Sequence, residues 1–165
     1  MSIYREMGFR PKKEHTGEAT LYNVARTFTL LSRLFQRHHA RFGLTPAKLN
    51  VLMLVKHLGD TEGLPQREIA KRLIISGSDV TGLIDRLEKE GLLARRGASS
   101  DRRVKLIKIT PMGSALLDKL WPAHIEQVEQ AMSSLSKREQ QQLIALLTKL
   151  RAKLQNEDGT EANHA

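Results

Sequence analysis

Four arginines and a lysine crowd one short stretch of the chain: Arg95, Arg96, Arg102, Arg103 and Lys105, with Asp101 among them. Guanidinium groups stay charged and present a fork of donors, so such a cluster suits phosphate oxygens and the electronegative floor of a narrow minor groove. Asp101 stands two residues before Arg103, which in a twisted strand places both side chains on one face. Arg95, Arg96 and Arg102 fit phosphate contacts better than base reading. The competing reading of the same residues is a solvated charge cluster without a ligand.

The elements that carry this cluster are two strand-like runs, Leu92 to Arg96 and Lys105 to Ile109, joined by a turn that begins Gly97-Ala98-Ser99-Ser100. A helix precedes them. It opens at Ser76, whose Ser-x-x-Asp spacing to Asp79 resembles a capping box, buries Val80, Leu83, Ile84 and Leu87, and stops at Gly91. Its other face offers Ser78, Asp79, Thr81, Gly82, Asp85 and Arg86. Small and hydroxylated residues there let a backbone approach base edges, and Arg86 can reach a guanine or a phosphate. Equally, Ser76, Ser78 and Asp79 can serve only as caps, with capping the favoured role for Asp79, and Arg86 can pair with Asp85 or Glu90. Gly77 and Gly82 each cost about 1 kcal/mol of helix propensity. Close approach to DNA and tight packing on the preceding helix both account for that cost.

That preceding helix, Gln66 to Leu73, is short, and the pair has the layout of a helix-turn-helix. The remaining chain also reads as helix. Leu21, Val24, Ala25, Phe28, Leu31, Leu34 and Phe35 form an amphipathic stripe that ends at Gly43. Thr45-Pro46 opens the next helix, which runs to Leu58 before Gly59. Thr110-Pro111 opens a long one towards Met132, and Ser136 starts a last one with Leu143, Leu147, Leu150 and Leu154 in a stripe spaced 4, 3 and 4 residues. Gln155 to Ala165 lacks apolar periodicity and reads as disordered.

Composition narrows the function. The net charge is +9, with residues 1–64 and 65–110 each carrying +5 and residues 111–165 carrying −1. One part of the chain therefore faces a polyanion and another faces something else. There is no cysteine, so disulfides, thiolate metal sites and thiol sensing are excluded for the isolated chain. No apolar run approaches the roughly 18 residues of a membrane span, and the N-terminus lacks a signal-peptide core, so the expected location is cytoplasmic and no membrane partner is expected. No phosphate-binding glycine loop, nucleophile elbow or metalloprotease pattern occurs, and Ser134-Leu135-Ser136-Lys137 matches a penicillin-binding motif only by letter. The expectation is a protein that is not an enzyme and has no cofactor. Aromatic residues make up 4% of the chain, too few for the stacking platforms of single-strand binders.

Asp85-Arg86-Leu87-Glu88, Gly91-Leu92-Leu93, Arg95-Arg96, Asp101-Arg102-Arg103, Ile109-Thr110 and Gly113 together resemble the signature of the MarR family of bacterial winged helix-turn-helix transcription regulators. Ile109 replaces the usual leucine. The resemblance covers roughly residues 20–155. It implies a mainly α fold with a two-stranded β wing, a winged helix-turn-helix flanked by long N- and C-terminal dimerisation helices. It implies a homodimer that binds double-stranded DNA at a pseudo-palindromic operator, as a repressor relieved by a small, often aromatic acid. It further implies that Asp101 orients Arg103 into the minor groove. The residues expected at DNA are Ser76, Gly77, Ser78, Thr81, Gly82 and Arg86 on the helix and Arg95, Arg96, Asp101, Arg102, Arg103 and Lys105 on the wing. The contrasting reading is a sequence-indifferent architectural nucleic-acid binder.

The expected domains are a basic leader (1–18), an N-terminal dimerisation helix (19–43), the DNA-binding region (44–110), C-terminal dimerisation helices (111–155) and a disordered tail (156–165). The leader, with Arg10, Lys12 and Lys13, is open among binding DNA, ordering on the dimer and staying disordered. The outer stripes fit a dimer interface, with an intrachain bundle as the alternative. Arg33, Arg37, His38, His39, Arg41 and Trp121 could border an effector cleft, or could equally be a solvated basic face and a buried plug. The histidines show no paired metal spacing, so no metal site is expected.

Overall fold

Thr45-Pro46 and Thr110-Pro111 each start a helix by the same means: the threonine oxygen accepts an amide of the first turn, from Lys48 at 3.2 Å and from Gly113 at 3.0 Å. A computed structural model describes residues 2–10, 13, 15–59, 62–73, 80–97 and 104–161. Its elements are α1 (Ile3–Glu6), α2 (Thr16–Ala40), α3 (Pro46–Leu58), β1 (Leu64–Pro65), α4 (Gln66–Arg72), α5 (Val80–Lys89), β2 (Leu93–Gly97), β3 (Lys105–Ile109), α6 (Pro111–Met132) and α7 (Lys137–Glu161). The chain divides into two compact units, Met1–His124 and Ile125–Ala165. The fold is a mainly helical winged helix.

In the first unit, β2 and β3 form the expected hairpin, with Leu93 opposite Ile109 and Gly97 opposite Lys105. A third strand, which the sequence pattern missed, completes the sheet in the order β1-β3-β2. It has only two residues, with Leu64 opposite Ile107 and Pro65 opposite Leu106. Two residues show no alternation, and a proline in second place argues for a helix start, so nothing in the pattern marks them as a strand.

The core lies between α3, α5, the sheet and the start of α6. Val51, Leu52, Ile69, Ile84, Leu87, Ile107 and Leu120 are fully buried there. Helix α5 ends as expected at Gly91, whose φ of +71° is the left-handed conformation that glycine adopts without steric cost. Gly113 matters for space instead. A Cβ on it would lie 2.2 Å from the Leu92 carbonyl oxygen, so the first turn of α6 can sit on the end of α5 only without a side chain.

Two further differences concern the chain ends. The leader, whose state the sequence left open, carries α1, with Ile3 and Tyr4 buried. Tyr4 donates to the Glu18 carboxylate at 2.9 Å, accepts the His15 amide at 3.3 Å and packs edge-on against Tyr22. Two apolar anchors in a basic stretch were enough to dock it. At the other end α7 runs to Glu161, past the expected limit at 155. Once a helix is nucleated, each added residue needs only its own hydrogen bond and no apolar stripe.

In the second unit, Ser136 and Glu139 cap α7 reciprocally: the Ser136 oxygen accepts the Glu139 amide at 3.3 Å, and the Glu139 carboxylate accepts the Ser136 amide at 2.8 Å. The serine also holds that carboxyl below its usual range. None of the described side chains of α7 is buried.

Candidate nucleic-acid interface

Helix α5 is held by one apolar face. Leu83, Ile84 and Leu87 are buried, which leaves Thr81, Asp85, Arg86 and Lys89 on the outer sides. Arg86 is exposed, and neither expected partner engages it: Asp85 pairs with Arg95, and Glu90 pairs with Lys48 at 2.5 Å. Thr81 accepts a hydrogen bond from the Gln66 amide at 2.9 Å, which links the two helices of the helix-turn-helix. Gly82 is half-buried in the helix. Ser76, Gly77 and Ser78, and the wing-tip residues Asp101, Arg102 and Arg103, lie outside the described residues. A groove of about 530 Å³ brings Thr81 of α5 and Lys105 of β3 together, with Gln66, Arg67 and Val104 also on its walls.

On the hairpin strands the basic residues separate into two kinds. Arg96 and Lys105 are exposed, and no ion pair to a described residue neutralises them. Arg95 points the other way. Its guanidinium bridges Asp85 and Glu88 of α5, with Glu88 at 2.5 Å, and its own backbone amide donates to Glu88 at 3.0 Å. Burial by itself would lower the Arg95 pKa, but the hydrogen bonds to Asp85 and Glu88 outweigh it and hold the guanidinium above its ordinary value. The expectation of Arg95 as a phosphate contact therefore meets an arginine already engaged within the protein. Spacing in sequence could not show this, because Arg95 and Arg96 are adjacent and only the strand's alternation sends them to opposite faces.

Comparison with known proteins places this geometry. A MarR family model matches residues 42–104. MhqR of Bacillus subtilis, an HTH-type transcriptional regulator, is 30% identical over 127 residues, covering 77% of this chain and 86% of that protein. The chain belongs to the MarR family. YkoM of the same organism, named as an HTH-type transcriptional regulator, is 37% identical over 132 residues, covering 78% and 82%. Among solved structures, Bordetella bronchiseptica BpsR, described in terms of the regulation of its DNA binding by 6-hydroxynicotinic acid, is similar with a TM-score of 0.73 at 26% identity, covering 84% of this chain and 97% of that one. As a MarR-family protein the chain is a DNA-binding transcription regulator with a winged helix-turn-helix, and its relatives are regulators, not enzymes.

The residues expected at an effector cleft of this MarR-family regulator divide in the structure. Arg33, Arg37 and Arg41 are exposed on or just beyond α2. His38 and His39 are buried, at 8% and 4% exposure, and His124 joins His39 from 85 residues away, a meeting that no spacing in the sequence marks. His39 Nε2 lies 3.2 Å from His124 Nδ1, and Phe35 and Trp121 pack against the His124 ring. No group of three metal-ligating side chains occurs among the described residues. Separately, α3 and α6 enclose a cavity of about 310 Å³ lined by Met53, Lys56, His57, Leu117, Asp118, Trp121 and Pro122, of which only Trp121 was anticipated.

His39 and His124 are biased toward the neutral imidazole. Burial, with the neighbouring His124 and His38, pushes the His39 pKa down to about 4, and burial followed by the charge of His38 lowers that of His124. Unfolded histidine titrates near 6.5, so between those values the unfolded chain binds a proton that folded His39 refuses. Stability must fall as the pH drops from about 6.5 towards 4, with His39 contributing up to about 3 kcal/mol of that loss. Thermal melts of wild type and His39→Gln across this window check it: the difference between them should widen in favour of the variant as the pH falls, and parallel curves would show that the ring is not held neutral.

Proposed function

We propose that this MarR-family regulator binds a pseudo-palindromic duplex operator as a homodimer, represses from it, and is released by a small aromatic acid. The observation that carries the DNA reading is the exposed charge of Arg86, Arg96 and Lys105, which no described acidic residue pairs with, on one helix and one hairpin of the same sheet-backed unit. Residues 44–110 would meet DNA, with α5 in the major groove, Arg96, Arg102 and Lys105 on phosphate, and Arg103, oriented by Asp101, in the minor groove. A dimer would span half-sites about 34 to 36 Å apart. Arg96→Ala and Lys105→Ala should each weaken selected and random duplexes alike and reduce the slope of log K against log salt by about 0.9. Arg103→Ala should lose at least on the order of tenfold in affinity with an unchanged melting temperature. A variant at 103 that binds like wild type rejects the minor-groove role, and equal affinity of wild type for selected and random duplexes favours an architectural binder.

Two uncovered apolar helix faces support the homodimer. Helix α2 leaves Leu21, Val24, Phe28 and Leu30 exposed, and α7 leaves Leu143, Ile144, Leu146, Leu150 and Leu154 exposed. A helix of 25 residues with no fully buried side chain among those described has little to hold it in water. A second copy would cover these faces. In sedimentation at micromolar concentration the wild type should run as a dimer and Leu146→Asp as a smaller species; a monomeric wild type rejects the dimer.

The cavity between α3 and α6 supports an acid effector. Met53, Leu117 and Trp121 offer apolar walls for a ring, and a ligand carboxylate would compete with Asp118, now 2.5 Å from Lys56, for that ammonium. A panel of hydroxybenzoic acids and 6-hydroxynicotinic acid should include one that raises the melting temperature and releases DNA from wild type but not from Trp121→Ala. If no compound in the panel does either, the acid effector is rejected.

A further inference from the structure

Arg95 stands in a basic hairpin of a DNA-binding protein, yet its charge is turned inward. Asp85 and Glu88 lie three residues apart on α5, on one side of the helix, and the Arg95 guanidinium spans the gap between their carboxylates. Its side chain is only 22% exposed, against 47% for Asp85 and 37% for Glu88. Glu88 makes a second attachment by accepting the Arg95 backbone amide at 3.0 Å, so one carboxylate holds both the side chain and the main chain of β2. Leu83, Ile84 and Leu87 anchor the buried face of α5 to the core and fix which side of the helix faces inward, but apolar contact is non-directional and leaves small rotations about the helix axis less sharply defined. A forked, charge-assisted bridge at the helix flank is directional and removes that freedom.

We propose that Arg95 is a positioning residue for operator recognition, which sets the orientation of α5 relative to the hairpin from inside the protein and does not contact phosphate. The proposal rests on the reading that α5 and the hairpin form the DNA face. Its consequence is opposite in sign to that of a phosphate contact. If Arg95 touched DNA, neutralising Glu88 or Asp85 would remove a repulsive carboxylate from beside the polyanion and strengthen binding. If Arg95 acts through the bridge, the same change loosens α5 and weakens selective binding although a negative charge has gone.

The test uses the full chain, a duplex that it selects from a random-sequence pool, and a random duplex of equal length. Glu88→Gln and Asp85→Asn should each lose affinity for the selected duplex, on the order of tenfold for Glu88→Gln, while random-duplex binding does not weaken. Glu88→Gln combined with Arg95→Gln should bind no worse than Arg95→Gln alone, as expected of two groups that act as one unit. Selected-duplex binding that is unchanged or tighter in both carboxylate variants, or additive losses in the double variant, overturns the proposal. Undiminished duplex binding by both Arg96→Ala and Lys105→Ala would displace the DNA face itself, a failure of the underlying reading that is separable from the first. Asp85→Asn keeps the proposal open to refutation should Glu88→Gln fold poorly.

Discussion

The helix and hairpin of the winged helix-turn-helix are tied at one point, the base of the hairpin. Thr110 donates its amide to the Leu92 carbonyl at 3.1 Å and its hydroxyl to Gly91 at 2.6 Å, while the same hydroxyl oxygen accepts the amide of Gly113. One side chain thereby joins the end of α5, the start of β2, the end of β3 and the first turn of α6. The close approach of Gly113 to Leu92 makes room for the knot, and the left-handed Gly91 turns the chain into it. Two strands with a polar tip have little stability of their own, so this base, with Leu93, Leu106 and Ile107 buried in the core, is what fixes the hairpin.

The charges arranged on that base do not act alike. Arg95 is consumed by two carboxylates, whereas Arg86, Arg96 and Lys105 face water. Surface potential follows the net arrangement, so the hairpin offers DNA fewer cations than its composition suggests. In the same unit, the imidazoles of His39 and His124 contribute no charge near neutral pH, because burial keeps them unprotonated.

How much was legible in the sequence follows from how local each signal is. Caps and glycine stops act over three or four residues, and Thr45, Thr110, Ser136 and Gly91 marked their helix ends correctly. The alternation of the hairpin and the stripe of α5 were equally readable. The two-residue β1 carries no period at all and exists only because β3 is there to pair with it. The inward turn of Arg95, the meeting of His39 with His124 and the α3–α6 cavity depend on residues far apart in sequence, and no single-chain spacing rule reports them. The docked leader was hidden by its own charge, since Ile3 and Tyr4 are too few to form a stripe.

The shortness of β1 has its own effect. Pro65 is at once the second residue of that strand, opposite Leu106, and the residue preceding the first turn of α4, with its ring holding φ at −59°. No linker separates the sheet from the helix-turn-helix. Helix α4 therefore leads directly out of the strand paired to the hairpin, and the conformational entropy of bringing them into register is lost during folding, not on the nucleic acid. What looks like a minor strand is a means of preorganisation, which leaves more of the contact energy available for affinity.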